Sequence, residues 1–407
     1  MNINRRYVDI RWSLQQGLSL IELMIAMLIG LLLILGIMQV FSASRVSYQL
    51  SEGMSRTQEN SRFAIDMLQR DIRMAGHFGC ISDQALNPWD RASTFASSFE
   101  TNAGVLPTES ALRFDLSIQG FDAQGSAPGD SLTLLATPAA GGGIYTPALP
   151  ADVQTAIGAR LIPGSDVLAL RYLLPEGVPV TGMSGSTNQP GLQFDSAKWE
   201  ILRNGMSNPG LFGVSDCRHA QVFQASAASA GAVNMGAATN NRMATFKTAL
   251  STDQLMLYRA ESVVYFIGRN DAGRPSLYRA RFNAPPGGAL THELMEVVEG
   301  IENMQLLYGV DRRGLASGRY SGVIDHQSTA QQVAAGGANG NPAGWRNVGL
   351  VQVGLLASSP DRSASMRPDN NISMLGVSYT LPADARYRAV YETTIALRNR
   401  LFGETER

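Results

Sequence analysis

The residues Gly17-Leu18-Ser19-Leu20-Ile21-Glu22 open an apolar segment that continues to Phe41. Among the 24 positions from Leu18 to Phe41, Ser19, Glu22 and Gln39 are the polar ones. A helix needs about 20 mostly apolar residues to cross the hydrocarbon core of a membrane. Charged residues within such segments are uncommon and usually have a function. The segment therefore predicts a membrane-spanning helix whose glutamate has a role of its own.

The residues before this segment do not form an ordinary secretory signal. Met1–Gln16 is short and polar, and its charged residues are three arginines and Asp9. A secretory signal has an apolar region of about 7–15 residues followed by a small-x-small cleavage site. Here the small residue, Gly17, stands before a longer apolar run. Because the arginines precede the run, we expect a cytoplasmic N-terminus and a translocated C-terminal part.

This pattern resembles the class III signal of type IV prepilins and pseudopilins. In that family a membrane-bound prepilin peptidase cuts after the glycine and methylates the new N-terminus. The resemblance implies cleavage between Gly17 and Leu18 and N-methylation of Leu18, where the family usually has phenylalanine. It also implies insertion in the inner membrane before assembly.

Glu22 then lies about one helical turn from the new positive amine of Leu18. When such helices bundle in a filament, Glu22 of one subunit can neutralise the amine of its neighbour. Breaking a buried ion pair costs about 3–5 kcal/mol, so the pair would penalise subunits in the wrong register. The alternative is a plain signal anchor with a tolerated glutamate near the membrane surface.

The helix is predicted to continue beyond the membrane as one element from Leu18 to Ala75, with a stop at Gly76. No proline occurs before Pro88. Apolar residues recur at helical spacing, at Val46, Leu50, Met54, Ile65, Leu68 and Ile72. We therefore divide the chain into a leader (1–17), a membrane or filament-core half (18–41), an amphipathic half (42–75) and a β-rich head (76–407).

The composition after the helix favours a β-rich, exported head. Only 16% of the 407 residues are charged and 41 are glycine, whereas an ordinary soluble protein has roughly 25% charged residues. The net charge of −1 does not favour nucleic-acid binding. Strands are predicted at 112–118, 131–136, 167–173, 263–267, 277–282 and 348–357, with loops at 175–190 and 225–241.

Three segments resemble PilW-type minor pilins more specifically. They are Arg73–Cys80 at the end of the helix, Val297–Asp311 in the middle of the head, and Thr394–Asn399 near the C-terminus. The resemblance implies an α+β, type IV pilin-like fold, with a long N-terminal helix packed on a large β-rich head. It implies a non-enzymatic protein that primes pilus assembly and lies near the pilus tip.

The partners implied by this resemblance are other minor pilins, the major pilin and a large tip adhesin. The processes implied are twitching motility and adhesion. Two alternatives remain open: a J-type pseudopilin of type II secretion, which usually has a smaller head, and a membrane-anchored protein whose head binds a surface ligand.

The sequence holds two cysteines, Cys80 and Cys217. In an exported chain such a pair predicts one disulfide, and the alternative is two unrelated buried thiols. The four histidines stand far apart, and the sequence has no H-E-x-x-H, G-x-S-x-G or Walker A motif. We therefore expect no catalytic site, cofactor, metal site or small-molecule substrate.

Overall fold

One helix, α1 (Leu20–Met74), forms the N-terminal part of the structure. Its 55 residues correspond to a rod of about 80 Å at 1.5 Å per residue. It ends where predicted, because Gly76 adopts a positive φ of 81° that most residues with a side chain avoid. The computed structural model describes residues 19–82, 95–101, 104–186, 189–216, 218–246, 250, 252–312, 321–336, 343–363 and 371–400.

The remaining described helices are short: α2 (Ala151–Ile157), α3 (Trp199–Arg203), α4 (Ala330–Ala335) and α5 (Ala343–Arg346), with 3₁₀ turns at Ser110–Leu112, Ser196–Lys198 and Thr252–Gln254. The first ten strands are β1 (His77–Phe78), β2 (Ile81–Ser82), β3 (Phe95–Ser97), β4 (Ile118–Ala123), β5 (Ser131–Thr133), β6 (Tyr145–Thr146), β7 (Val167–Ser184), β8 (Gly191–Phe194), β9 (Leu211–Ser215) and β10 (Ala220–Ser229). The next ten are β11 (Ala232–Met235), β12 (Met256–Arg269), β13 (Pro275–Asn283), β14 (Thr291–Glu299), β15 (Ile301–Val310), β16 (His326–Ser328), β17 (Val348–Ser358), β18 (Asn371–Met374), β19 (Val377–Thr380) and β20 (Arg388–Ala396).

The two longest strands, β7 and β12, join two parts of the head. The first half of β7 and the second half of β12 belong to a sheet that continues through β13 to the edge strand β14. The other halves take part in a closed antiparallel ring in the order β7, β8, β11, β10, β9, β12. A closed ring of this kind is a small β-barrel, and closure removes open strand edges.

The barrel has a hydrophobic interior of its own, because alternate residues along each strand point inward. Its buried side chains are Val178, Val180, Leu192, Phe194, Leu202, Phe212, Val214, Phe223, Ala225, Val233, Met235, Leu255 and Leu257.

A second sheet, in the order β16, β15, β17, β20, packs with α1 and the first sheet around the main core. Alternate residues of β17, from Val351 to Ala357, face this core, whereas Leu356 packs on the other side. On that side lies a small sheet of β18, β19 and β5. The head is therefore β-rich and layered, and the fold is the α+β arrangement expected from the sequence.

The face that α1 buries differs from the predicted stripe. Leu68 and Ile72 are buried as predicted, but Val46 and Met54 are exposed. The buried face instead begins with small and polar residues: Gly53, Thr57, Ser61 and Ala64. The hydroxyls of Thr57 and Ser61 donate to the helix's own carbonyls at Gly53 and Thr57, both at 2.7 Å. The polar positions are thereby satisfied within the helix, and small side chains let the head approach closely.

Three local predictions of strand and loop were wrong. Residues 175–190 do not form a loop throughout, since β7 runs to Ser184. Residues 225–241 contain the hairpin of β10 and β11. The first segment contains Pro and Gly and the second is rich in Ala and Ser, which favours loops, but barrel closure pairs their backbones. In the segment predicted as a strand at 112–118, Leu112 ends a 3₁₀ turn, irregular backbone follows, and only Ile118 belongs to a strand, β4. The hairpin of β12 and β13 and the buried strand β17 are as predicted.

Replacing Gly53 should show how close the helix must approach the head. A Cβ atom there would lie 2.8 Å from Cβ of Ser363 and 3.3 Å from Cβ of Ser359. Gly53→Leu should therefore lower the free energy of unfolding by about 1–3 kcal/mol, although leucine favours a helix more than glycine does. The measurement is urea denaturation of the full chain in detergent. Ser55→Leu is the control, since Ser55 is exposed on the same helix; equal midpoints for the two variants would contradict close packing.

Candidate functional site: the exposed helix and its attachment to the head

The N-terminal half of α1 presents apolar side chains on every side. All large apolar residues from Leu20 to Phe41 are exposed, and Leu20 is 76% exposed. None of the most apolar part of this helix is buried. By length and composition this helix can cross a membrane. Such a surface is stable in lipid or against other apolar helices.

Glu22 lies in the first turn of α1. Its side chain is exposed, and Ser19 precedes the helix without making a side-chain capping bond. The carboxylate is thus available to a group outside this subunit. Gly17 and Leu18 lie outside the described residues, so the cleavage site and the methylated N-terminus stay predictions.

At the other end, Asp71 attaches α1 to the large sheet. Its Oδ2 accepts a hydrogen bond of 2.7 Å from the hydroxyl of Tyr265 and one of 2.9 Å from Nε of Arg279. Asp71 is only 6% exposed. Burial would lower the pKa of Arg279, but the neighbouring Asp71 raises it above its ordinary value. Burial, and then the Asp71 carboxylate, raises the pKa of Tyr265 well above its ordinary value.

The charges continue from Asp71 into the head. Arg279 Nη2 also lies 3.9 Å from Oε2 of Glu261, a fully buried carboxylate. Burial would raise the pKa of Glu261, yet its hydrogen-bonded partner Arg281 and the nearby Arg259 hold it below the ordinary value. Arg259 donates to the backbone oxygen of Leu211 at 2.8 Å. Alternating charges therefore link α1 to β12, β13 and the barrel strand β9.

The turn after the helix, from Arg73 to Cys80, is held by contacts with distant segments. Asn399 donates from Nδ2 to the backbone oxygen of Arg73 at 3.0 Å, which satisfies a carbonyl at the helix end. The ring of His77 has Nδ1 2.8 Å from the backbone oxygen of Leu173. Gly79 has a φ of 77° and lies so close to Ser215 that a Cβ would be 2.7 Å from its Cβ. Arg73 and Asn399 belong to the first and the last of the three segments that resemble PilW-type minor pilins, so these two segments are in direct contact.

The middle segment, Val297–Asp311, is the point at which the chain passes from the large sheet to the second sheet. Gly300, with a φ of 91°, separates β14 from β15. A Cβ there would lie 2.8 Å from the backbone oxygen of Ser358. Asn60 of α1 donates to the oxygen of Glu299 at 3.0 Å. The helix therefore docks at the corner between the two sheets.

The functional residues predicted from the sequence lie at opposite ends of α1. Glu22 is near the start of α1, whereas Cys80 follows its end. Cys217 lies outside the described residues, so the disulfide between Cys80 and Cys217 stays a prediction. Sequence reasoning missed the Asp71 site. The signal was present, because Asp71 is a charged residue three positions after Leu68 on the helix face that is buried.

In the described part of the chain, no group of three or more His, Cys, Asp or Glu residues could hold a metal ion.

Two family models match separate parts of the chain. Residues 12–38 match the prokaryotic N-terminal methylation motif, which covers the leader end, Glu22 and most of the apolar segment. This defines the class as type IV pilin-like proteins that carry a class III signal. Residues 264–399 match the family of type IV pilus-assembly protein W, from the middle of β12 to the end of β20.

Together the two matches confirm the resemblance of the chain to PilW-type minor pilins. The signal implies processing by a prepilin peptidase and interaction with other pilins. The family points to a structural component of the pilus rather than an enzyme. No curated protein and no solved structure matches the chain.

Removing the Asp71 carboxylate should weaken the attachment of the helix to the head. Asp71→Ala leaves the Tyr265 hydroxyl and a largely buried Arg279 without their partner, and should lower the free energy of unfolding by about 3 kcal/mol. Asp71→Asn keeps an acceptor and should cost less. Urea denaturation of the full chain in detergent measures both. Asp66→Ala, at an exposed position of the same helix, is the control and should change the free energy of unfolding by less than about 0.5 kcal/mol. An equally small effect of Asp71→Ala would disprove the role of Asp71 in attaching the helix.

Proposed function

We propose that this minor pilin primes type IV pilus assembly and lies near the pilus tip, with other minor pilins and a large tip adhesin. In this position it supports twitching motility and adhesion. The observation that carries the proposal is the bare apolar half of α1 joined to a firmly docked head. A subunit of this shape can leave the membrane by inserting its helix among those of other pilins, while the head stays outside the bundle.

In this proposal the leader, residues 1–17, is removed and Leu18 becomes the methylated first residue. Before assembly the N-terminus is cytoplasmic, the helix crosses the inner membrane and the head is periplasmic. After assembly the head is displayed on the pilus at the cell surface. The matched methylation motif and the membrane-length helix support this path.

The proposed role of Glu22 is to set the register of the subunit in the helix bundle. Its exposure and its place in the first helical turn allow it to pair with the N-terminal amine of a neighbouring pilin. A carboxylate left without that amine in an apolar bundle is costly, so the correct axial position is favoured over its neighbours.

A disulfide between Cys80 and Cys217 would tie the end of the helix to the barrel. The contact between Gly79 and Ser215 supports this pairing, because Gly79 is adjacent to Cys80 and Ser215 lies two positions before Cys217. We expect the intact mass of periplasmic protein to rise by two hydrogens on reduction. Two free thiols before reduction would contradict the pairing.

Glu22→Ala should abolish the assembly role while leaving the head folded. A strain with this variant should have few or no surface pili and should lose twitching, because the subunit no longer pairs with its neighbour's amine. Piliation is counted by electron microscopy, and denaturation of the purified variant should be unchanged. Glu59→Ala is the control for loss of an exposed helix glutamate and should leave piliation intact.

Normal piliation with Glu22→Ala would remove the register role. A strain that lacks the whole protein distinguishes the function from its alternatives. Loss of pili and twitching is the expected result. Loss of exoprotein release with intact pili would instead indicate a type II secretion pseudopilin, and loss of adhesion alone would indicate a membrane-anchored binding protein.

A further inference from the structure

The edge strand β14 (Thr291–Glu299) has one side unpaired in the described part of the head. It is bonded to β13 on one side and stands at the end of the strand order of its sheet. The exposed residues of β14 are Thr291, His292, Glu293, Met295 and Glu296. Nine residues extend about 30 Å at 3.4 Å each. An unpaired edge of this length can pair with another chain.

The register shows which backbone groups of β14 point away from the sheet. The backbone N–H of Gly300 donates to the backbone oxygen of Pro275, so the backbone oxygen of Pro275 points toward β14. In an antiparallel pair the direction alternates along the strand, so the backbone groups of every second residue of β13 after Pro275 also point toward β14. Their partners on β14 are Val298, Met295, Glu293 and Thr291. The intervening residues, His292, Leu294 and Glu296, therefore direct their N–H and C=O groups outward. The outward oxygen of Glu299 is taken by Asn60, so α1 covers only the last part of this edge.

Three of the nine side chains of β14 are acidic, at Glu293, Glu296 and Glu299. Within the described residues, Glu293 and Glu296 have no ion pair, and Glu296 accepts hydrogen bonds from the neutral groups of Asn270 and Ser276. Glu299 is the exception, since its Oε1 lies 2.6 Å from Nη1 of Arg274. The open part of the edge thus combines unpaired backbone groups with two glutamates, Glu293 and Glu296, that form no ion pair within the described residues.

A cavity of about 410 Å³ adjoins the start of β14. It is lined by Thr291 and His292 of the strand and by two further acidic residues, Glu109 and Asp152. Asp152 Oδ2 accepts from the backbone N–H of Ala111 at 2.8 Å, but its Oδ1 is buried without a hydrogen-bond partner. Arg171 lies behind this site and donates to Ser110 and to the oxygen of Leu116. Glu109, a partly exposed carboxylate of the lining, is suited to a cationic hydrogen-bond donor that enters the cavity.

We infer that the outer edge of β14 binds an extended, basic peptide segment of another protein by strand addition. Backbone hydrogen bonds to His292, Leu294 and Glu296 supply the pairing, as in other complexes formed at sheet edges. A lysine or arginine near one end of the segment enters the cavity beside Glu109 and Asp152. A second copy of β14 is disfavoured as the occupant, because antiparallel pairing would bring like charges opposite each other.

This inference concerns the head alone and does not depend on Glu22 or on the position of the protein in a pilus. Failure of the peptide test would leave the assembly proposal intact, and normal piliation with Glu22→Ala would leave this edge unaffected.

The test uses the full chain in detergent and a labelled nonapeptide of alternating lysine and valine, with blocked ends. Fluorescence anisotropy should show binding of this probe, and rising salt should weaken it. A glutamate–valine peptide of the same length should not bind. The lysine–valine peptide with N-methyl groups on its central residues should also fail to bind, because it keeps its charge but cannot donate to the edge.

Glu293→Lys should weaken binding of the basic probe about fivefold, as expected for an exposed charge contact. Glu176→Lys is the matched control at an exposed glutamate outside this edge and should leave the affinity unchanged. Glu109→Gln tests the cavity and should also weaken binding. Equal binding of the N-methylated probe, equal loss with both lysine variants, or no binding of the basic probe at all would overturn the inference.

Discussion

The close packing of the second half of α1 against the head is the constraint on which the rest of the structure depends. The helix buries Gly53, Thr57, Ser61 and Ala64, which contribute little hydrophobic area, before it reaches Leu68 and Ile72. These small residues bring the helix axis close to the second sheet, while the larger ones fill the core between the sheets. A single 55-residue helix can therefore serve two environments, apolar on all sides at one end and fitted to one surface at the other.

The buried charges at Asp71, Arg279 and Glu261 give this packing a defined geometry more than they give it stability. Removing charges from water is costly, and a buried ion pair often contributes little compared with apolar residues of similar size. Breaking one, however, leaves an uncompensated charge. The chain of ion pairs therefore disfavours any docking of α1 that is rotated or shifted along its axis.

The head combines a part shared with the PilW family and a part that the family match does not reach. The matched region, 264–399, contains the second sheet and the corner at Gly300 where the helix docks. Most of the barrel, including β8 to β11, precedes it along the chain. Because β7 and β12 belong to both parts, the barrel is built on extensions of two core strands. The matched part holds the helix, and the barrel is a distinct addition on the head.

The local pattern of the sequence was enough to determine the elements whose signal is short in range. A continuous apolar run with one early glutamate specifies the membrane-length helix, and Asn270 to Gly273 between alternating residues specifies the hairpin of β12 and β13. The tertiary structure decided what depends on distant partners. Barrel closure pairs residues within 175–184 and 225–235 into strands, since their backbone groups find partners in the other strands of the ring. The buried face of α1 likewise follows from the shape of the head and not from hydrophobicity alone. Asp71 and the open edge of β14 acquire their roles only where strands from distant parts of the sequence bring Tyr265, Arg279, Glu109 and Asp152 beside them.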